Sequence, residues 1–504
     1  MSEPVTAIHQ LVERNAQQFG SSLALIDHDG REFTWQSFSD CVDEAEAALA
    51  KGGLTTGDRL MIVAENAASV AAFLFAASRL GAITVPVNAR MSARELERIT
   101  AHANPRIIMY TTGVSKDAAG HAAEQTTQEL DEAFGRVELN VTGINDPEPT
   151  PQGTTPLAVL LYTTGTTGAP KGVMLTQKNL LFAGETSASY RGMTKDDVVY
   201  GALPLTHVFG LASMLIASAS IGAAVQLEAR FKPDRLLAAL QDKVTILPAV
   251  PQMHALLMKL TEDMGLTRLS DTQLRYVSSG AAPLDPAWKR KAEAFYQLPL
   301  QNGYGMTEST AGICGTRNPI GSPDISVGPP LPGVEIDLDE AIGSENGVGE
   351  ILTKGPHVML GYFRNPDETA KALPSDGYLR TGDLGKIDED GRLHVVGRAK
   401  ELIIRSGFNV YPPEVEAALN DHPDVIQSAV IGRRTSDGNE DILAFVQCAV
   451  PAKLDIVGLE AFAAERLTAY KRPSRIVPTE QLPAASTGKI LKHKLLEVFS
   501  NELG

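Results

Sequence analysis

Cysteine is scarce. The 504 residues hold only three, Cys41, Cys314 and Cys448, too few and too widely spaced for a disulfide framework or a thiolate zinc site. A reducing, cytoplasmic setting is the expectation that follows. Positive charge is also short: 45 lysines and arginines stand against 61 aspartates and glutamates, for a formal net charge of -16. That balance argues against a surface built for nucleic-acid phosphates or anionic lipid and favours solubility. Long apolar runs are missing too. The most apolar stretch, residues 211–225, is rich in small residues and shorter than the roughly 20 needed to cross a bilayer. It reads as buried helix or strand, and no integral membrane segment is expected. The opening MSEPVTAIHQLVERNAQQFG interleaves charge with apolar residues and lacks the core of a secretory signal. No internal repeat or long low-complexity tract interrupts the chain.

What is present has a globular texture, 43% hydrophobic and 21% charged, in a chain too long for a single core. RLMIVAE, SVAAFLFAASRLG, AITVPVN and PRIIMYT alternate strand-like and helical patterns, the grammar of a parallel sheet covered by helices. A second series is expected from Ala158 to Asn302, with GAAVQLEA, VTILPAV and LRYVSSGA as strands and DRLLAALQD and AWKRKAEAF as helices. From Gly328 the pattern becomes short β-rich runs broken by Gly, Pro and Asp, which predicts a small antiparallel sheet or β-barrel. After Lys400, PEVEAALNDHP, IQSAVIGRR, ILAFVQCAV and LEAFAAERL predict a compact α+β unit. The expected fold is therefore α/β: a large N-terminal domain, residues 1–399, of two α/β sheets plus the small β-barrel, and a smaller α+β domain, residues 400–504. The segment Gly113–Thr155 reads as a variable surface connection.

The segment LLYTTGTTGAPKGVMLT, Leu160–Thr176, carries the sharpest chemical signal. A strand runs into Thr163, Thr164, Gly165, Thr166, Thr167 and Gly168 and closes on Lys171. Glycines let backbone N–H groups approach an anion, hydroxyls add donors, and the lysine adds charge: a phosphate cradle. It is not an ordinary P-loop, because Gly172 follows the lysine where that motif needs a metal-binding hydroxyl. Alone, such a segment could also be a surface turn.

Further motifs follow in order: PLTHVFG (204–210), SSGAAPL (278–284), NGYGMTES (302–309), YLRTGDLG (378–385), GRAKELIIRSGFNVYPPEVE (397–416) and STGKILK (486–492). With the threonine-rich loop, this series strongly resembles the adenylate-forming superfamily of acyl-CoA synthetases, peptide-synthetase adenylation domains and firefly-type luciferases, over essentially the whole chain. The resemblance implies ATP, Mg²⁺ and coenzyme A as co-substrates and cofactors. It implies that Thr307 and Glu308 hold ATP phosphates and Mg²⁺, with Thr164 as a second metal-side residue, and that Tyr304 faces the adenine. Gly280, Ala281, Ala282, Asn302, Gly303, Gly305 and Met306 complete the nucleotide site. Asp383 is placed on the ribose hydroxyls, Arg398 on ribose and phosphate, Lys400 at a hinge, and Lys489 on the α-phosphate and attacking carboxylate. Thr164 stands where a serine is the expectation and Asn302 where a glutamine is commoner; both keep a polar function.

By the same resemblance the C-terminal domain rotates between half-reactions, withdrawing Lys489 and presenting Arg405–Asn409. Ser406, Gly407 and Phe408 would then border pantetheine, and Lys471 and Arg472 the CoA phosphates. His207 reads as a gate or wall of the acyl pocket rather than a general base, since a free carboxylate needs no strong proton abstraction. Val208, Phe209, Leu211, Met214, His254, Ser279, Gly303 and Met306 are the other pocket candidates. None of them is arginine, so a second substrate carboxylate is disfavoured. An apolar monocarboxylic acid, aromatic (phenylpropenoate) or fatty, is expected, activated as an acyl-adenylate and passed to CoA. The alternative is loading of a carrier-protein thiol. A small-molecule acid, ATP and CoA are the expected partners, with the protein a monomer or homodimer.

Overall fold

A computed structural model describes residues 4–149, 155–164, 170–280, 284–341, 347–405, 408–435, 440–484 and 490–503. Two eight-stranded sheets form the body. The first is ordered Gly361–Tyr362, Pro170–Thr176, Leu157–Thr164, Ile83–Asn88, Arg59–Ala64, Ile107–Tyr110, Gly135–Val141 and Gln128–Glu132. The second runs Ala311–Gly315, Leu300–Met306, Tyr276–Gly280, Ile246–Ala249, Val198–Gly201, Ala224–Leu227, Leu23–Ile26 and Glu32–Thr34.

The central strands are parallel and buried along their whole length, which explains why RLMIVA and ITVPVN read as continuous rather than alternating apolar runs. Helix Ala68–Arg79 packs within the main core and is buried on every face from Ala68 to Ser78, which suits its alanine-rich sequence. Phe75 from this helix meets Phe38 edge-on at 6.1 Å between centroids. The one charge in the first sheet's central strand is neutralised within the protein: the Arg59 guanidinium donates to the carbonyls of Ala103 (2.8 Å) and Asn104 (3.0 Å) and pairs with Asp146.

Two boundaries differ from the sequence reading. The Leu157–Thr176 hairpin joins the first sheet beside Ile83–Asn88, while the early hairpin Leu23–Thr34 crosses to the second. Strand membership is set by long-range pairing, which local pattern does not encode. Residues 113–155 are not a bare connection: they include helix Lys116–Ala122 and the hairpin Gln128–Val141, which extends the first sheet.

Where the small sheet or barrel is expected, four antiparallel strands, Glu335–Asp339, Gly349–Lys354, Leu379–Ile387 and Leu393–Arg398, form one sheet. Residues 211–225 are a π-helical turn (Leu211–Ile216), a short helix and the start of a strand, all within the core apart from a partly buried Ile221. The C-terminal unit packs helices Pro412–Asn420 and Ile456–Ala464 around a three-stranded sheet, Gln427–Arg434, Glu440–Gln447 and Arg475–Thr479. Among the described residues no helix is long and apolar enough to cross a membrane.

Candidate active site

The threonine-rich motif is a β-hairpin. Tyr162 pairs with Gly172, Thr163 with Lys171 and the Thr164 backbone with Pro170; the tip, with Gly165, Thr166, Thr167 and Gly168, lies outside the described residues. Strand Gly361–Tyr362 lies alongside, with Tyr362 opposite Val173. Lys171 is already engaged: its ammonium pairs with the Glu368 carboxylate and sits 5.1 Å from the Tyr362 ring centroid. The lysine, helped by Lys371, holds the Glu368 carboxyl down at about 2. In this structure Lys171 therefore fastens the stem of the cradle rather than offering a free charge at its tip.

Glu308 follows the strand Leu300–Met306 in a single 3-10 turn, Thr307–Ser309. The turn is strained, since Thr310 has φ 48° and Ala311 φ 85°, both left-handed and neither a glycine. Side-chain bonds hold it: Ser309 Oγ accepts from Met306 N (3.0 Å), and Thr310 Oγ1 donates to the His357 carbonyl (2.7 Å). Close approach also requires Gly305, where an added Cβ would fall 1.4 Å from the Ala311 carbonyl. The product is a buried carboxylate, Glu308, whose Oε1 accepts the Tyr362 hydroxyl at 2.9 Å. Thr307 is buried beside it in the sequence.

A second constellation joins strand Leu300–Met306 to the four-stranded sheet. The Tyr304 hydroxyl donates to Asp383 Oδ2 (2.7 Å), and Asp383 Oδ1 pairs with Arg398 Nε (3.1 Å). Asp383 and Arg398 face each other across neighbouring strands. Burial, reinforced by the Asp383 charge, drives the Tyr304 phenol well above its ordinary range, so it stays a neutral donor. Two hydrogen bonds thus join three sheets at this place: Tyr362 beside the threonine-rich hairpin reaches Glu308, and Tyr304 reaches Asp383 of the four-stranded sheet, so hydroxyl, carboxylate and guanidinium groups gather where a polyanionic nucleotide could be held.

Residues 12–363 match the AMP-binding enzyme family and residues 414–489 the AMP-binding enzyme C-terminal domain. The chain belongs to the AMP-binding enzymes. Feruloyl-CoA synthase from Amycolatopsis sp is 32% identical over 94% of this chain and 95% of that protein. ATP-bound MatB from Rhodopseudomonas palustris is 29% identical, with a TM-score of 0.83 over 98% of this chain and 100% of that one. MenE from Bacillus subtilis, in complex with ATP and magnesium ion, is 28% identical, with a TM-score of 0.80 over 96% of this chain and 98% of that one.

Set in that family, the other expected residues divide. Gly280 and Gly303 sit side by side in register, and a Cβ at Gly280 would lie 3.1 Å from the Phe209 ring. His207 caps the turn that carries Phe209, its Nδ1 accepting from Phe209 N at 3.3 Å. Val208, Leu211 and Met214 are buried, Phe209 and Met306 half-buried, all against one core; Ser279 is buried with an unpartnered Oγ. Two candidates read differently in the structure. His254 is fully buried, its Nε2 bonding the Ser278 carbonyl (3.2 Å) and its Nδ1 the Tyr296 hydroxyl (2.8 Å). Burial lowers its pKa to about 4; it is a neutral core residue behind the strand. Asn302 spends its amide on the Ser326 carbonyl and the Gly303 N–H, leaving its side chain structural.

In the C-terminal unit Phe408 is 48% exposed and stacks on Tyr470 at 4.6 Å. Lys471 pairs with Glu414, and Arg472 donates to the carbonyls of Leu467 and Ala464, so both basic side chains are held within the domain. Ala281, Ala282, Ser406, Gly407 and Lys489 lie outside the described residues. Sequence reading missed Tyr362 and Glu368, both in GYFRNPDET, and the cluster in which Lys492 pairs with Glu416 (2.8 Å) and Glu401 (3.1 Å). Only contact reveals them, because tyrosine, glutamate and lysine at such spacing are ordinary surface residues.

Proposed function

We propose that this protein is an ATP-dependent acyl-CoA ligase, which activates an aromatic or fatty monocarboxylic acid as its acyl-adenylate and transfers the acyl group to coenzyme A. The observation that carries this reading is the pairing of a buried carboxylate, Glu308, with the Tyr304–Asp383–Arg398 chain beside a hydroxyl-rich hairpin. These donors fit Mg²⁺–ATP: Glu308 and Thr307 with the phosphates would hold the cation, which neutralises charge on the leaving pyrophosphate. Asp383 is suited to accept from both ribose hydroxyls.

In the first step the substrate carboxylate attacks the α-phosphorus, the bond to the bridging oxygen breaks, and pyrophosphate departs. Two anions must meet in line, so the protein's task is positioning and charge compensation. Lys489 is the cation assigned to that moment, with Thr163, Thr164 and the hairpin tip around the phosphates. His207 and Phe209 border the acyl group. In the second step the thiol sulfur attacks the acyl carbon, AMP leaves with the bonding electrons, and the thiol proton is released.

The same reading divides the chain at residues 399 and 400 into a fixed body and a rotating C-terminal domain. Two anchors flank Lys400 and support it as the pivot: Arg398 is paired to Asp383 of the body, and Glu401 to Lys492 of the C-terminal unit. Three buried, unbridged cysteines accord with a cytoplasmic location. The test is a panel of carboxylic acids assayed for pyrophosphate release with and without CoA. CoA-dependent turnover with AMP formation is expected; pyrophosphate release that never leads to a CoA thioester would defeat the assignment and favour a carrier-protein acceptor.

A further inference from the structure

Strand Arg59–Ala64 of the first sheet runs into a turn, residues 65–68, that opens helix Ala68–Arg79. This turn docks on three neighbouring strands of the second sheet, at their carboxyl ends. Glu65, itself buried, pairs at 2.6 Å with Arg230, which lies just past strand Ala224–Leu227. The Ala68 N–H donates at 3.0 Å to Asp27 Oδ1, which follows strand Leu23–Ile26. The third strand, Val198–Gly201, is met by the side-chain amide of Asn66.

Asn66 is 3% exposed, and its three hydrogen bonds all go to one short stretch of backbone. Nδ2 donates to the carbonyls of Gly201 (2.9 Å) and Leu203 (2.8 Å), and Oδ1 accepts from Leu205 N (2.8 Å). Two carbonyls and one N–H fix which way round the amide lies. The partners alternate along the chain, as they would beside a paired strand. Residues 202–206 nevertheless belong to no helix or strand, while Ala202, Leu203 and Leu205 are buried. Buried irregular backbone must find partners, and here a single side chain from the other sheet supplies three of them.

The stretch so held leads directly into the turn that carries His207 and Phe209. His207 N donates to the Pro204 carbonyl (3.0 Å), and Leu211 N to the His207 carbonyl (2.9 Å). There is no slack on the far side either: a Cβ at Gly210 would fall 2.2 Å from the Pro204 carbonyl oxygen and 2.6 Å from that of Leu203. A shift at Leu203 or Leu205 therefore passes to His207 and to Phe209, whose ring lies over Gly280. The Glu308 side of the two sheets has ties of its own, the Tyr362 hydroxyl to the Glu308 carboxylate and Met359 N to the Glu308 carbonyl, both at 2.9 Å. The two halves of the site are thus fastened separately.

We propose that Asn66 is a positioning residue of the acyl pocket: its amide fixes the His207–Phe209 turn from behind, and thereby sets the affinity for the carboxylic acid and not the affinity for ATP. This rests on the ligase reading and deepens it. No motif discloses the residue, because Asn66 precedes Leu203 by 137 positions and reaches it only through the packing of one sheet on the other.

The experiment compares the full-length protein with Asn66→Ala, which removes all three bonds, and with the isosteric Asn66→Asp, which keeps the acceptor for Leu205 and loses both donors. Calorimetry gives the Kd of Mg²⁺–ATP alone and, with a non-hydrolysable ATP analogue present, the Kd of the tightest-binding acid from a panel that includes cinnamate and octanoate. In both variants the acid Kd should rise about tenfold or more while the ATP Kd stays within about twofold. Should Asn66→Ala fail to fold, Asn66→Asp decides alone; failure of both to fold makes Asn66 a residue of the fold only and overturns the proposal. An unchanged acid Kd in a folded variant, or equal losses for acid and ATP, overturns it as well. The expected split without any CoA-dependent turnover would leave the positioning role standing and instead reject the ligase reading, and a wild type that binds no acid of the panel would reject both.

Discussion

Glu308 owes its usefulness to a neighbour that sequence reading passed over. Its carboxylate is buried, one oxygen accepts the Tyr362 hydroxyl, and the ring of the same tyrosine lies under the Lys171 ammonium. Glu308→Gln removes the anionic ligand proposed for the cation and should raise the Mg²⁺ concentration required for half-maximal activity. Tyr362→Phe keeps the carboxylate and loses only its orientation, so it should weaken Mg²⁺ affinity and raise the midpoint about tenfold, as outer-shell changes at metal sites do. A magnesium titration of pyrophosphate release checks both, and an unchanged midpoint in Glu308→Gln would move the cation elsewhere. Lys489→Ala should slow adenylate formation by about 10²–10³, the scale of losing one charge-stabilising donor, while thioester formation from supplied acyl-adenylate survives. Rapid-quench measurement of the two half-reactions separates these outcomes.

At the scale of elements, the hinge gives the clearest expectation. Lys400 occupies the short turn Ala399–Glu401 between a residue tied to the body and one tied to the C-terminal unit, so the proposed rotation would have to be absorbed by very few torsions. Lys400→Pro fixes φ near about −65° and removes an N–H. Adenylation should survive better than thioesterification, and single-turnover assays in which both rates match the wild type would refute the pivot. The central strands and helices were legible, because apolar runs bounded by Gly and Pro located them. Sequence did not reveal which sheet a strand joins, because Leu23–Thr34 and Leu157–Thr176 each pair across long separations. Nor did it reveal which polar residues become internal. His254 was expected in the acyl pocket and Asn302 at the nucleotide, yet both side chains are hydrogen-bonded within the core, whereas Tyr362 looked unremarkable and holds the Glu308 carboxylate.

For the molecule as a whole, two buried histidines set an acid limit. Burial takes His254 and His357 to about 4, below the ordinary value of 6.5. The unfolded chain binds these protons first, so stability is fully present above about 6.5 and drains away as the pH falls toward about 4. Each contributes on the order of 3 kcal/mol at the full difference. Urea midpoints should drop between pH 7 and 4.5, and His254→Gln should show a flatter profile; an identical pH slope in the variant would contradict the assignment. The strand exchange between the two large sheets bears on how the chain is made. Residues 23–34 belong to the second sheet, and residues 361–362 complete the first. A ribosome must therefore extrude more than 310 residues before the second sheet is complete and more than 360 before the first is, and the early hairpin waits for partners that emerge some two hundred residues later. Chaperone shelter during synthesis, and failure of any fragment cut inside residues 23–362 to fold alone, are what this interlacing entails, and on the proposed division residue 400 would be the place to split the protein into two co-expressed pieces.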